Sequence, residues 1–461
     1  MPAGRPVFSL RAVDRAPGLL YNEQKMIRTA ETEGIFVKKE KYDVLIVGSG
    51  PAGIAASLAA AREGRKTALL ERYGCLGGGM TSSYVRPFLG SVGNETVGRE
   101  IEKRIAEAES FCSPVEAAKI VLSEMVHEAG IDVYLQTQAV SAVTSPTPEG
   151  RRRIESVLAA SHGEEYSLTA DSYVDATGDG DLSSAAGAEF SIGRDSDGLV
   201  QPLSIMFTVE GIEPDTGLVC RHEEDWQDLG DGREYLDLCH KACASGELPA
   251  SVNIVRLYLT GRTGERMVNA TQMNRVYPLD PRSLAEAEYE LREQVRKVVL
   301  FLQKNIPGFE RIRVNGSCTT TGVRESRRVI GDYVLSAEDL FAGRRFDDAV
   351  VTDAFFCIDI HNPDGAGQAE RDGCPYNPKP YEIPYRSLTP AGFDNLLTAG
   401  RCISGDHRAH ASYRVMRICM AMGHAAGVAA SLMSENHCGS RSIDIRRVQE
   451  AVGIRKDRAD S

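Results

Sequence analysis

The most constraining feature of the chain is a glycine-punctuated turn, Gly48-Ser-Gly50-Pro-Ala-Gly53, set directly after the apolar run Tyr42-Asp-Val-Leu-Ile-Val47. A short run of this kind reads as a strand buried on both faces, as in a parallel sheet. The Ala-rich stretch Ala52–Glu63 is predicted to be a helix ending near Gly64, and Lys66–Glu71 a second parallel strand. Together they make one βαβ unit. Gly48 permits the tight turn, Gly50 lets the backbone come close to a pyrophosphate, and Gly53 lets helix and strand pack closely. Pro51 and Ala52 open the helix, whose N-terminus offers free N–H groups to phosphates. Glu71, at the second strand's end, is spaced to accept hydrogen bonds from ribose hydroxyls. A dinucleotide is the expected ligand; a ligand-free glycine turn is the plainer alternative, and the complete unit argues against it.

A chain of 461 residues has room for two or three domains. Its net charge of −12 argues against non-specific binding to nucleic acid or to anionic membrane surfaces. Eleven cysteines are scattered without a Cys-x-x-Cys pair, so no metal centre is expected. Cys239 and Cys243, one helical turn apart, read as semi-buried thiols. The absence of a disulfide pattern suggests a reducing, cytoplasmic setting. Met1–Asp14 lacks the apolar core of a signal peptide, and no stretch approaches the ~18 apolar residues of a membrane span.

Residues 1–40, with a short helix at Glu23–Thr32, read as an extension that drapes over the body or serves a subunit contact. Val115–Ala129 is predicted helical and leads to a strand at Asp132–Thr137. Strands are expected at Ile154–Ala160 and Tyr173–Ala176. From about Leu203 the texture becomes antiparallel, with alternation in Ser204–Glu210 and Val252–Leu259. Ser283–Asn305 is the strongest helix, with a capping box from Ser283 and Glu286. Arg344–Ile360 is strand-like, Asn395–Ala399 a last short strand, and Ser412–Ser434 a final helix. Nucleotide-binding texture therefore lies at both ends of the chain, with a different texture between.

The fingerprint alone does not separate FAD from NAD. A second glycine loop, Gly74-Cys-Leu-Gly77-Gly78-Gly79-Met80-Thr81-Ser82, and the strand-ending Asp175-Ala-Thr177-Gly178-Asp179-Gly180-Asp181 tilt the reading to FAD. With these, the blocks Gly322–Arg328, Asp359–Gly365, Ala399–Ser404, Arg414–Met416 and Gly423–Gly427 give a resemblance to a known family. The sequence resembles FAD-dependent oxidoreductases of the glutathione-reductase-like superfamily, and is distantly similar to fumarate reductase flavoproteins. The resemblance implies an α/β fold: a Rossmann-like FAD-binding domain with an inserted α+β substrate domain. The expected divisions are 1–40 extension, 41–202 FAD-binding domain, 203–345 substrate domain, 346–435 FAD-binding domain resumed and 436–461 tail. Beyond the fingerprint residues, Arg72, Gly78, Thr81, Val140 and Gly178 are candidate FAD contacts. So are Gly400, Arg401, Arg414 and Val415, since the resemblance places the Ala399–Arg401 strand end and the last helix by the isoalloxazine.

Flavin carries the electron chemistry, so the protein must bind substrate and move a proton. His361 and His407 lie in sequence near strand ends and are the candidate bases; His410 is a weaker candidate. Arg324 is the candidate substrate-binding residue, because a guanidinium can clamp a carboxylate or polarise a carbonyl; a structural ion-pair cluster is its alternative. Cys75 and Cys419 are candidates for a covalent flavin link or a redox thiol, with small apolar packing as the alternative. The expected activity is removal of a hydride from a small polar organic substrate by a dehydrogenase or oxidase. The alternatives are a flavin-dependent reductase of an unsaturated bond and a non-redox flavoprotein. A homodimer is the base-rate expectation, and the electron acceptor is open.

Overall fold

The computed structural model describes residues 37–86, 88–221, 225–368 and 377–454. The expected helix at Glu23–Thr32 and the extension to residue 36 lie outside the described residues, as does the end of the tail from residue 455.

The fingerprint strand β1 (Lys38–Val47) begins four residues before its apolar run. Its Lys-rich half is exposed, yet it pairs in parallel with β6 (Glu164–Asp175), from Lys38 opposite Tyr166 to Val47 opposite Asp175. Hydrophobicity marked only the buried half. On its other side β1 pairs in parallel with β2 (Thr67–Leu70), and β2 with β3 (Asp132–Tyr134). A hairpin of β4 (Gln138–Pro146) and β5 (Arg152–Ser161) extends the sheet beyond β6. The late strand β15 (Leu396–Thr398) pairs in parallel with the C-terminal end of β6, giving the order β3-β2-β1-β6-β5-β4 with β15 against β6.

The helix α1 (Pro51–Arg62) is buried from Ala52 to Ala60. One neighbour is α9 (Met416–Glu435), reached through α8 (His407–Tyr413). The expected single helix over Ser412–Ser434 is thus broken at Arg414-Val415, and its second part starts one turn late. α9 is also the one helix among the described residues long and apolar enough to cross a membrane, but 89% of its apolar window is buried in the protein core. Gly423 and Gly427 make the α1–α9 approach feasible: a Cβ at Gly423 would lie 2.0 Å from Ala52 O, and one at Gly427 2.2 Å from Ala56 O. Two more helices, α2 (Val97–Ala108) and α3 (Pro114–Glu128), enclose the same core. Within the expected tail, α10 (Ile445–Ala451) packs Val448 onto it.

A second, antiparallel sheet of order β11-β8-β10-β9 comprises β8 (Met206–Glu210), β9 (Arg256–Leu259), β10 (Glu265–Asn269) and β11 (Arg313–Ser317). The strand expected over Val252–Leu259 forms only in its second half. One face of the sheet, with Phe207, Val209, Leu257 and Val268, packs on α6 (Pro281–Asn305) through Leu291, Val295, Val298 and Leu302. The cap of α6 is Asp280, whose carboxylate accepts from Ser283 N at 2.9 Å, so the expected Ser283–Glu286 capping box is displaced by an upstream acid. Cys239 is buried and Cys243 half-buried on α5 (Tyr235–Ser245); both are free thiols. The fold is α/β, with a Rossmann-like parallel sheet and an α+β insertion.

Candidate active site

The first sheet's strand ends and the second sheet's open face border one cavity of about 1500 Å³. That exceeds the ~300–1000 Å³ of pockets for drug-sized ligands, leaving room for an extended molecule and a second, smaller one. Gly48, Gly50, Pro51, Ala52, Glu71, Arg72, Gly78, Gly178, Gly400, Arg401 and Arg414 line it, as do Arg324 and His361.

Four expected cofactor contacts are placed elsewhere. Gly53 packs under the turn, where a Cβ would lie 1.8 Å from Gly48 O. Thr81 is buried and donates its hydroxyl to Leu76 O at 2.6 Å, closing the second glycine loop. Val140 is 56% exposed because strand alternation turns it outward; its neighbour Ala139 lines the cavity. Val415 is buried against the loop at Gly90, in the break between α8 and α9.

At the fingerprint end the two glycine loops touch. Gly77 N donates to Ser49 O at 3.0 Å, and a Cβ at Gly78 would lie 2.9 Å from Gly50 Cα. Glu71 already accepts from Ser49 N at 2.9 Å and Tyr73 N at 2.8 Å, so the expected ribose acceptor also fastens both turns. Asp179 takes Arg401 Nη2 at 2.7 Å and Arg72 Nη2 at 3.0 Å, fixing two cavity arginines on one carboxylate. Burial opposes its ionisation, but Arg401 and Arg72 hold its pKa down to about 2.

The opposite end gathers polar side chains from distant segments. His361 lies in a loop at the bridge to Gln368, and its backbone N donates to Gln201 Oε1 at 3.2 Å. Its Nε2 is 3.5 Å from Asp359 Oδ2. Asp359 also accepts from Gln368 Nε2 at 2.6 Å and Arg414 Nη2 at 3.1 Å. Burial lowers the His361 pKa, Arg324 adds to this and Asp359 opposes it, leaving about 4. Burial also disfavours the charge on Asp359, but His361, Arg414 and Arg324 outweigh it and hold the carboxyl well below the usual range. Arg324 is carried by a segment whose Gly322 N donates to Ser204 O at 2.8 Å; its Nη1 donates to Pro202 O at 2.7 Å.

His407 is not with them. It opens α8 rather than lying in a loop, is 5% exposed, and its Nδ1–H donates to the fully buried Glu325 at 2.8 Å. Glu325 also pairs with the buried Arg328 and accepts from Gln201 N at 3.1 Å. His410 is equally buried, 5.5 Å from the Tyr413 ring. Cys419 lines the cavity, but burial pushes its thiol up to about 12, the wrong direction for a thiolate; Cys75 is not among the lining residues.

The sequence model of the family of FAD dependent oxidoreductases matches residues 43–452. The chain belongs to this family. The enzyme therefore uses FAD, and the non-redox alternative falls away. Solved structures give only distant likenesses. A geranylgeranyl bacteriochlorophyll reductase-like protein from Thermoplasma acidophilum is 14% identical, with a TM-score of 0.44 over 90% of this chain and 82% of its own. Thermovibrio ammonificans THI4 is 22% identical, with a TM-score of 0.27 over 40% and 76%. The p-nitrophenol 4-monooxygenase PnpA from Pseudomonas putida DLL-E4 is 11% identical, with a TM-score of 0.43 over 90% and 84%. None transfers an activity.

The lining fits FAD. Apart from the adjoining backbone, no atom of the described residues lies within 4 Å of where a Cβ would stand on Gly50 or Gly79, so both positions leave space that any side chain would take from a ligand. Gly50, Pro51 and Ala52 would hold the pyrophosphate at the start of α1, with Glu71 and Ala139 toward the adenosine. Gly400, Arg401 and Met416 would border the other end.

Among the lining residues that escaped sequence reasoning are Arg256, Tyr258, Met267 and Asn269. Arg256 pairs with Asn269 and Tyr258 with Met267 across β9 and β10, so all four share one face, opposite the packed Leu257 and Val268. The alternation in 252–259 was the available signal; which face would meet the cavity was not.

Proposed function

We propose that the enzyme takes a hydride from a carbon of a small polar organic substrate while His361 takes the proton from the adjoining O–H or N–H. FAD, when bound, supplies the two-electron acceptor. The substrate loses one C–H and one O–H or N–H bond and gains a C=O or C=N. His361 is suited to the proton because its depressed pKa keeps the ring neutral at pH 7, ready to accept. Asp359, held by Arg414 and Gln368, would stabilise the imidazolium formed. Arg324 remains cationic at pH 7, its pKa lowered to about 9 first by burial and then by Arg414, and would orient the substrate. His407 has a supporting part, bracing Glu325 behind the wall.

The observation that carries this reading is the His361–Asp359 pair in the same cavity as Gly400 and Arg401. Anaerobic mixing with a metabolite panel should find substrates that bleach the flavin's visible absorbance. His361→Gln should then slow bleaching by ~10²–10⁴-fold with flavin content unchanged. Bleaching at the normal rate in that variant would reject the assignment.

A further inference from the structure

The loop that carries His361 is gripped from the insertion. Beyond β10 the chain runs from the cavity-wall residue Asn269 through Ala270 and Thr271 into Gln272-Met-Asn274-Arg275. Gln272 Nε2 donates to Gly365 O at 2.6 Å. Asn274 Nδ2 donates to Asn362 O at 2.6 Å and to Gly365 O at 3.1 Å. A primary amide has two N–H donors, so Asn274 alone can hold both carbonyls; a carbonyl has two lone pairs, so Gly365 O can take both amides. The brace is itself anchored. On α6 the Gln294 side chain, 2% exposed, accepts from Gln272 N at 2.9 Å and donates to Gln272 O at 3.0 Å. Thr271 exchanges hydrogen bonds with Ile205, and Met273 with Leu203. Arg275 sits at a φ of +58°, a left-handed conformation that a non-glycine residue keeps only where its surroundings impose it. At the histidine itself, the backbone N is held by Gln201.

We propose that Gln272 and Asn274 are positioning residues, whose amides fix the loop 361–365 so that the His361 ring stays in the cavity wall. This rests on the hydride-transfer reading above and adds the residues that place its base. Amides suit the task because they do not ionise, so the grip is the same at every pH at which the histidine changes charge. Removing them leaves the carbonyls of Asn362 and Gly365, both on half-buried residues, to be satisfied by water, which draws the loop outward. Among the described residues, Asp359 favours protonation of the ring, Arg324 and Arg256 oppose it, and Arg414 and Tyr258 act on these in turn. On the loop's outer side Asp364 pairs with Arg194 and Arg275. Burial is the largest influence on the ring, so a loosened loop should bring its pKa up from about 4 toward the ordinary 6.5.

The test uses the FAD-loaded enzyme with isotopically labelled histidine. The His361 signal is identified by its loss in His361→Gln. Its titration is followed by NMR from about pH 5 to 8 in the wild type, in Asn274→Leu and in the double variant Gln272→Met/Asn274→Leu. The wild-type ring should stay neutral across this range, while the variants should begin to protonate within it, the double variant most, with flavin content retained. An unmoved ring in both variants overturns the proposal, whatever their rates. If the double variant does not retain FAD, Asn274→Leu decides alone, because Asn274 is only half-buried. Arg275→Gln removes an exposed ion pair and should leave the ring neutral; an equal shift there would assign the hold to that pair and also overturn the proposal. With a substrate that bleaches the flavin, the limiting rate in the double variant should fall roughly tenfold or more, and the half-saturating concentration should stay within about threefold. A shifted ring with an unchanged limiting rate, where His361→Gln is slow, would reduce the amides to a loop anchor and reject the positioning role. Normal bleaching in His361→Gln together with a shifted ring in the brace variants would sink the base assignment and leave the brace standing.

Discussion

At the scale of single residues, burial acts on His361 and Asp359 in the same sense, against charge, and their neighbours decide the result. For Asp359 the surrounding cations prevail and the carboxylate stays ionised; for His361 they reinforce burial, and the imidazole stays neutral. A base must be unprotonated to act, so the rate of flavin reduction should stay level as pH falls through 6.5. It should drop only toward pH about 4, the lowered value of His361. Stopped-flow bleaching across pH 4–8 checks this; an inflection near an ordinary histidine value would contradict it. Asp179 presents a different case, because its role is to hold Arg72 and Arg401 together. Asp179→Asn should destabilise the enzyme by about 2–3 kcal/mol, after allowance for the part-exposed arginines. It should also weaken FAD retention, measured by denaturant midpoint and flavin release. The sequence made His361, Arg324, Arg401 and Arg414 visible as motif members. It could not separate His361 from His407, because both sit beside short glycine- and aspartate-containing turns, the first before its turn and the second after, and only packing sends one to the cavity and the other to Glu325.

At the scale of elements, the α1–α9 contact joins the fingerprint to the end of the chain. Gly423 and Gly427 let α9 press on the backbone of Ala52 and Ala56, and Ala52 itself lines the cavity. Gly423→Ala would force the helices apart against the usual gain in helix propensity. The expected net cost is about 1–3 kcal/mol, with weaker FAD binding, read by thermal denaturation with and without added FAD. Gly64→Ala is a useful contrast: its Cβ meets nothing within 4 Å, so any cost comes from its φ of +77° rather than from crowding, and FAD binding should be spared. The βαβ unit was legible because strand, turn, helix and acid all follow local rules. The break at Arg414-Val415 was not, since neither residue is a helix breaker and the interruption is set by tertiary contacts: Arg414 Nη2 reaches back to Asp359 O at 2.9 Å. The cap of α6 was misread for a simpler reason. Asp280 and Ser283 both qualify as caps, and Pro281 favours the earlier start, because proline suits the first helical position.

For the whole molecule, two buried imidazoles and one half-buried imidazole are expected to weaken stability on the acid side. Burial is the largest cause for each: His361 and His424 fall to about 4, and His410 well below the ordinary value of 6.5. At His361 and His424 the unfolded chain binds protons from pH 6.5 downward, while the folded chain does not until about 4; His410 resists protonation in the same sense. Their stabilising contribution is therefore complete above pH 6.5 and is lost progressively as pH falls toward 4. Asp179 adds a further loss below its ordinary 3.8, ending near its folded value of about 2. Denaturant midpoints should decline steadily from pH 7 to 4; a flat profile would show that these groups do not control stability.

The strand β15 lies beside β6 although more than two hundred residues separate them in the chain, and this has a consequence for biosynthesis. During translation β1, α1, β2 and β6 emerge early, but the C-terminal half of β6 has a bare strand edge until residues 396–398 leave the ribosome. The cavity wall at Gly400–Met416 arrives later still. A nascent or truncated chain stopping before residue 396 would thus present an open sheet and half a cofactor cradle, a form prone to aggregate. Flavin capture is in this sense a proofreading event: only a chain translated past the cavity wall at Gly400–Met416 can close around the cofactor.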